Sequence, residues 1–278
     1  MDRTCRILWA AAFLAAARPV QAELFAQAMP VKYNLTVRPG ESVVRDVMVN
    51  NLGNGPVVVR VRYSDWTLSD EGLLSLAPPG STPGSLSGCV RFEPRDFSLQ
   101  PGESGRVQVI LTLPAEGPAT RWGVLLSEVI PASTPRKGLG PRAVAELGTT
   151  LYLSSVPASQ IHPRLSRMDV SPVGQDSLMV SFRIHNDGDR HLYVGSEIAI
   201  RDSLGSAVMN GNVGTGVVLP GRSRVFAWTC AAGLPPGGYT VAATLDTGEP
   251  ELMVGESRIR WPMIATVGPP LAQQPESR

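Results

Sequence analysis

Apolar residues recur at every second position through most of this chain. In PVVVRVRYSDWTL, Val57, Val59, Val61 and Tyr63 fall on one side, and Arg60, Arg62 and Ser64 on the other. In VVRDVMVNN, Val43, Val47 and Val49 share a face. A period of two is the side-chain repeat of a β-strand, and a polar second face marks an antiparallel sheet with one wet side. The texture continues through CVRFEP, RVQVILTLP, WGVLLSEVIP and AVAELGTTLYLSSVP. A short connector, ASQIHPR, leads to SLMVSFRIHN, LYVGSEIAIRD, SRVFAWTC, GYTVAATLD and LMVGESRIRW. Turn residues separate the runs, as at Asp70-Glu71-Gly72, Asn186-Asp187-Gly188-Asp189 and Pro235-Pro236-Gly237-Gly238. Short strands with turns about every ten residues predict an all-β fold of two immunoglobulin-like β-sandwich domains in tandem, over 23–157 and 158–262.

The phrase Pro-Gly-x-Ser occurs three times, at Pro39, Pro101 and Pro220, each between an apolar lead-in and an alternating run. Proline fixes φ, and glycine accepts positive φ, so each copy predicts a type II turn that ends one strand and launches the next. The spacings are unequal, which excludes a solenoid repeat.

The 278 residues suit two domains. Charged residues make up 18% of the chain and its formal net charge is +1, so no basic excess points to nucleic acid. The first 22 residues have the form of a cleaved export signal: Arg3 and Arg6, the run ILWAAAFLAAA, then Val-Gln-Ala. Their loss removes three arginines and one aspartate and leaves a formal charge of −1. This predicts an exported chain, periplasmic or at the cell surface, without stable membrane insertion. The segment 263–278 has too little apolar content to fold. Cys5 leaves with the signal, and Cys89 and Cys230 read as two buried thiols in separate domains.

Little chemistry is on offer. His185 and His191 flank the NDGDR turn, with Asp187 or Asp189 as a third ligand, but turn chemistry explains that cluster without a metal. Ser104 in GESG does not match a nucleophile elbow. The GxGxxA string from Gly138 to Ala143 contains Pro141 and follows a proline-rich stretch, which precludes a nucleotide loop. No catalytic constellation, cofactor site or metal site is expected, and the chain reads as a non-enzyme.

A strand ending in PGES, then VMVNN, then Asp65-Trp66 after the next strand resembles the N-terminal domain of PapD-like periplasmic chaperones. FEPRDFSLQPGESGRVQVIL is similar to that family's strand pair, and RWGVLLSEVIP to the strand that follows. The likeness covers roughly residues 28–157. It implies a non-enzymatic assembly factor that binds an exported subunit, pilus-like or another surface polypeptide, by β-strand addition. The lending strand in the family is the last of domain one, here Ala143 to Ser155, which makes Ala145, Leu147, Leu151 and Leu153 the candidate donor row. The same row also suits this domain's own core. The family's basic grip on a client's terminal carboxylate falls near Leu35 and Tyr152, and neither is basic. Lys32, Arg38 and Tyr152 therefore stand as candidate cleft residues, and a client outside the usher pathway fits better. The alternative is a structural or adhesive surface module with the loops Pro78–Gly88 and Ala132–Arg142 as contacts.

Overall fold

The computed structural model describes residues 24–132, 143–156, 160–174 and 176–263. The expected export signal, nearly all of the expected tail and most of the loop Ala132–Arg142 lie outside the described residues. Alternating side chains build β1 (Ala26–Met29), β2 (Lys32–Val37), β3 (Ser42–Asn51), β4 (Val57–Leu68), β5 (Leu74–Ala77), β6 (Val90–Glu93), β7 (Asp96–Leu99), β8 (Ser104–Thr112), β9 (Thr120–Pro131) and β10 (Ala145–Ser155). They form two sheets, β1-β3-β8-β6 and β2-β10-β9-β4-β5 with β7 also on β4. Val47, Val59, Val107, Val109, Leu111 and Leu125 close the core between them. A second body follows: β11 (Pro163–Val173), β12 (Ser177–Asn186), β13 (Leu192–Arg201), β14 (Ala207–Val218), β15 (Ser223–Ala231), β16 (Gly237–Asp246) and β17 (Met253–Trp261). Its sheets, β11-β12-β15 and β14-β13-β16-β17, pack over Val180, Phe182, Ile184, Val194, Ile198 and Val241. Among the described residues every regular element is a strand.

The three Pro-Gly phrases are the expected turns. Glu41 N donates to Arg38 O at 3.0 Å, Glu103 N to Gln100 O at 3.0 Å, and Arg222 N to Leu219 O at 3.1 Å. Gly40, Gly102 and Gly221 have φ of 85°, 78° and 64°, which a side chain would resist. Two of the copies share a further device. Asn51, fully buried, donates to Gly55 O at 2.9 Å and Leu99 O at 3.3 Å and accepts from Gly53 N at 3.1 Å. Asn186, also fully buried, donates to Arg190 O at 2.7 Å and Val218 O at 3.1 Å and accepts from Gly188 N at 3.1 Å. Gly102 N and Gly221 N donate back to the main-chain oxygens of Asn51 and Asn186, at 2.8 and 2.9 Å. Each sandwich thus ties one strand end to its Pro-Gly turn with one buried asparagine. The sequence reading took Asn186 as an ordinary turn residue and missed this brace.

The second body covers part of the first. In β4 the outward residues Arg60 and Arg62 are exposed, whereas Ser64 and Trp66 are buried. Trp66, Trp122, Val124, Leu126 and Tyr152 form an apolar cluster on that outer face, closed by Leu219 of the second body. At one side of it Asp70, at the tip of the β4–β5 hairpin, takes the Arg183 guanidinium and the Ser223 hydroxyl (3.1 Å), and its carbonyl accepts Val225 N at 2.6 Å. An apolar cluster and the Asp70–Arg183 contact beside it join the two bodies on this side.

Cys89 is buried and Cys230 half-buried, both as free thiols. The loop Pro78–Gly88 is anchored from beneath. Asp65 sits at zero exposure on the inner face of β4 and accepts from Tyr63 Oη (2.6 Å), Ser85 Oγ (2.6 Å), Thr82 N (3.0 Å) and Thr82 Oγ1 (3.1 Å). Burial alone would raise its pKa. The hydrogen bonds from Ser85, Tyr63 and Thr82 outweigh it and hold the carboxyl below its usual range.

Candidate functional site: an open strand edge beside the interdomain cleft

The last strand of the first sandwich is paired along its whole length on one side and along half on the other. All of Ala145–Ser154 runs antiparallel to β9. β2 lies parallel to β10 only from Thr150↔Lys32 to Ser155↔Val37. Upstream of Lys32 the chain leaves this sheet at Pro30, and β1 pairs with β3 in the opposite sheet. The stretch Ala145–Gly148 is therefore a free edge among the described residues, and Thr149 is buried beside Pro30, whose carbonyl accepts its hydroxyl at 3.0 Å.

The direction of its main-chain groups follows from the register. Thr150 N donates to Val31 O at 3.0 Å, so it points toward the β2 side. Alternate residues of a strand point the same way, so the N–H and C=O of Glu146 and Gly148 face outward along the free edge with no strand opposite. Inward, Ala145 and Leu147 are half-buried against the first core. Around the edge, Met29 is 49% exposed, Val31 70% and Val144 47%. Glu146 stands on the outer face and is paired with Arg62 at 2.5 Å. The site offers backbone donors and acceptors, apolar neighbours and no titratable pair poised for chemistry.

The structure splits the expected donor row. Ala145 and Leu147 lie on the free edge. Leu151 and Leu153 have zero exposure in the core of their own sandwich, in the half of β10 that β2 covers. They are core residues, in the half of β10 whose outer main-chain groups β2 already pairs.

The expected cleft residues also separate. Tyr152 is 3% exposed, stacks on His191 (centroids 4.1 Å apart, 24° between planes) and meets Trp66 edge-on at 5.9 Å. It cements the two bodies and does not line an open cleft, and burial raises its phenol pKa. Lys32 Nζ sits 4.0 Å above the Tyr193 ring, across the same boundary. Arg38 stands exposed in the β2–β3 turn, where its backbone N donates to the Glu41 carboxylate at 3.2 Å. It is apart from the interdomain cavity. That cavity measures about 480 Å³ and is lined by Asn34, Thr36 and Ser154 on one side and Arg190, Tyr193 and Thr215 on the other. Sequence reasoning missed Arg190, Tyr193 and Thr215, because only tertiary packing brings them to β2.

His191 is held neutral. Burial, then the nearby Arg190 and Lys32 charges, pull its pKa down to about 4. It does not meet His185 in a metal site: Asp187 is engaged by Arg164 at 2.7 and 3.2 Å, and Asp189 accepts Gln160 N at 2.6 Å. Among the described residues there is no cluster of three metal-ligating side chains, and no helix is long and apolar enough to cross a membrane.

No family model matches the chain, and no curated protein does. Solved structures similar to it include the CsuC–CsuE chaperone–tip adhesion subunit pre-assembly complex of Acinetobacter baumannii, at 12% identity and TM-score 0.46 over 84% of this chain and 97% of that chain. Another is the YadV chaperone, at 13% identity and TM-score 0.45 over 84% of this chain and 99% of that chain. A third is the E. coli chaperone DraB, at 14% identity and TM-score 0.42 over 85% and 97%. All three TM-scores fall below 0.5.

Proposed function

We propose that this protein is an exported, non-catalytic assembly factor that holds a partner polypeptide by adding the partner's strand to the free edge of β10. The observation that carries the reading is the half-paired strand: Glu146 and Gly148 direct unpaired main-chain groups outward, while Ala145 and Leu147 supply apolar side chains beneath. An open edge flanked by exposed apolar residues is a liability in a protein that must not aggregate, so its retention argues for use. Two added main-chain hydrogen-bond pairs and the burial of Met29, Val31 and Val144 would supply the affinity. The partner class is an exported subunit that lacks a strand of its own. The rival reading, loops as adhesive contacts, is weakened at Pro78–Gly88, where the buried Asp65 carboxylate pins the loop to β4.

Gly148→Pro tests this directly. Proline removes an N–H that has no partner among the described residues, and edges are where strands tolerate it. Wild-type and variant proteins are each used as bait in an extract of exported proteins and the bound chains read by mass spectrometry. A partner retained by wild type and lost by an equally folded variant supports the proposal. A partner retained equally by both overturns it.

A further inference from the structure

The β4–β5 hairpin ends the larger sheet of the first sandwich, and β5 has a strand on one side only. Its four residues pair with Asp65–Leu68 of β4. Ser69 N donates to Leu73 O at 3.0 Å, and the Ser64 hydroxyl donates to Ala77 O at 2.8 Å. The main-chain groups of Leu73, Ser75 and Ala77 therefore turn toward β4. Those of Leu74 and Leu76 point the opposite way, outward, with no strand opposite them among the described residues.

The side chains at this edge are apolar. Leu74 is 53% exposed and Leu76 43%, and the two share a face. Leu73 beside them is 70% exposed. β5 is the one edge strand among the described residues with two exposed large apolar side chains on a single face. On β1, Met29 stands beside the polar Gln27, and on β17, Val254 stands beside the charged Glu256. On β14, Val208 lies where the pairing with β13 slips register. The β5 leucines also continue a buried surface. Leu76 lies directly opposite Trp66, and Leu74 opposite Leu68. Trp66 and Leu68 pack in the apolar cluster that Leu219 of the second body closes. The cluster that joins the two bodies thus runs out at the sheet edge as a pair of leucines in water.

We propose that this edge pairs with its counterpart on a second copy of the chain, the two β5 strands running antiparallel about a twofold axis at Ser75. The stretch Leu74-Ser75-Leu76 reads the same in both directions, so Leu74 of each copy faces Leu76 of the other. These are the residues whose main-chain groups point outward, so each facing pair exchanges N–H···O bonds in the antiparallel manner. The leucines of both copies meet on one face and carry the apolar cluster across the axis. The window also fits this occupant in length. The hairpin turn, closed by Gly72 N on Ser69 O at 2.9 Å, bounds it at one end, and Pro78, which has no N–H, bounds it at the other. A long client strand overruns it, whereas a second β5 ends where the first begins to turn. So short a window buries little area, and the dimer is a weak one, with a dissociation constant on the order of 100 μM. β4 and β9 separate β5 from β10, so pairing here leaves the proposed partner edge of each copy open and stands apart from the strand-addition reading.

Sedimentation equilibrium of the purified chain, from about 10 μM to about 1 mM, reads the association. Leu76→Lys changes an exposed side chain, so it is expected to keep the melting temperature and to weaken association about tenfold or more, because it sets a charge into the leucine face. Cysteine variants read the register. Residues at the axis form a non-hydrogen-bonded pair with Cα atoms about 4.5 Å apart, within disulfide reach, whereas residue 73 of one copy lies about 14 Å from residue 73 of the other. Oxidised glutathione is expected to link Ser75→Cys into dimers well above the wild-type background from Cys89 and Cys230, and to leave Leu73→Cys at that background. A wild type still monomeric at about 1 mM overturns the proposal. A Leu76→Lys variant that associates as tightly as wild type, or a Leu73→Cys variant that links as readily as Ser75→Cys, also overturns it. So does a wild type that does not self-associate but retains a co-purified partner that Leu76→Lys loses, since β5 would then seat that partner.

Discussion

The buried asparagine braces make a quantitative prediction. Replacing Asn186 with alanine deletes two donations, to Arg190 O at 2.7 Å and Val218 O at 3.1 Å, and one acceptance, from Gly188 N at 3.1 Å. The site has zero exposure, so water does not replace the lost partners. At about 1 kcal/mol net for each bond the variant loses about 3 kcal/mol, which corresponds to a fall of roughly 10 °C in melting temperature for a domain of this size. Asn186→Asp is the sharper test. It keeps the shape and the acceptor but sets a carboxylate against two carbonyl oxygens, so it is expected to cost more than alanine. Thermal melts followed by circular dichroism, with urea titration for the free energies, give both numbers. The matched pair Asn51→Ala and Asn51→Asp is expected to rank the same way. If both Asn186 variants stay within about 1 kcal/mol of wild type, or if aspartate is milder than alanine, the brace does not hold the turn.

Asp65→Ala removes the acceptor for Tyr63, Ser85 and Thr82 and is expected to cost about 3–5 kcal/mol and to expose the loop Pro78–Gly88 to limited proteolysis, which a cleavage time course would show. His191 gives a pH test. An unfolded imidazole titrates near 6.5 and the folded one near 4, so as pH falls the unfolded chain takes the proton first. The stability His191 contributes is complete above about pH 6.5 and is lost between there and about pH 4, at most roughly 3 kcal/mol. His191→Phe, which keeps a ring on Tyr152, is expected to flatten urea-melt stability over that window. Wild type and variant with parallel pH profiles would show that the imidazole is not desolvated.

The strands themselves were legible, because alternation is a local property: Val57, Val59 and Val61 point inward and Arg60 and Arg62 outward, as their spacing predicts. The Pro-Gly turns were legible for the same reason. The pattern stops at Ser64, whose hydroxyl turns onto Ala77 O of the next strand at 2.8 Å, and at Trp66, which sits in the cluster that Leu219 of the second body closes. The donor row shows the same limit. Ala145, Leu147, Leu151 and Leu153 are alike in sequence, and their roles are divided by where β2 begins its parallel pairing, more than a hundred residues away along the chain. Asp65 reads as a polar interruption of an apolar strand, and only the folded loop reveals its four hydrogen bonds from Tyr63, Ser85 and Thr82. Tyr152 was expected to line a cleft, and the fold turns it into the cement between bodies because His191 and Trp66 arrive on both sides.

The central claim is that a partner strand occupies the first half of β10. Amide hydrogen exchange, read residue by residue in the free chain and in the co-purified complex, addresses it most directly. Glu146 and Gly148 are expected to exchange rapidly in the free chain and slowly in the complex, while Thr150, whose N–H is already bonded to Val31, stays slow in both. New protection confined to other surfaces, with Glu146 and Gly148 unchanged, would contradict the account.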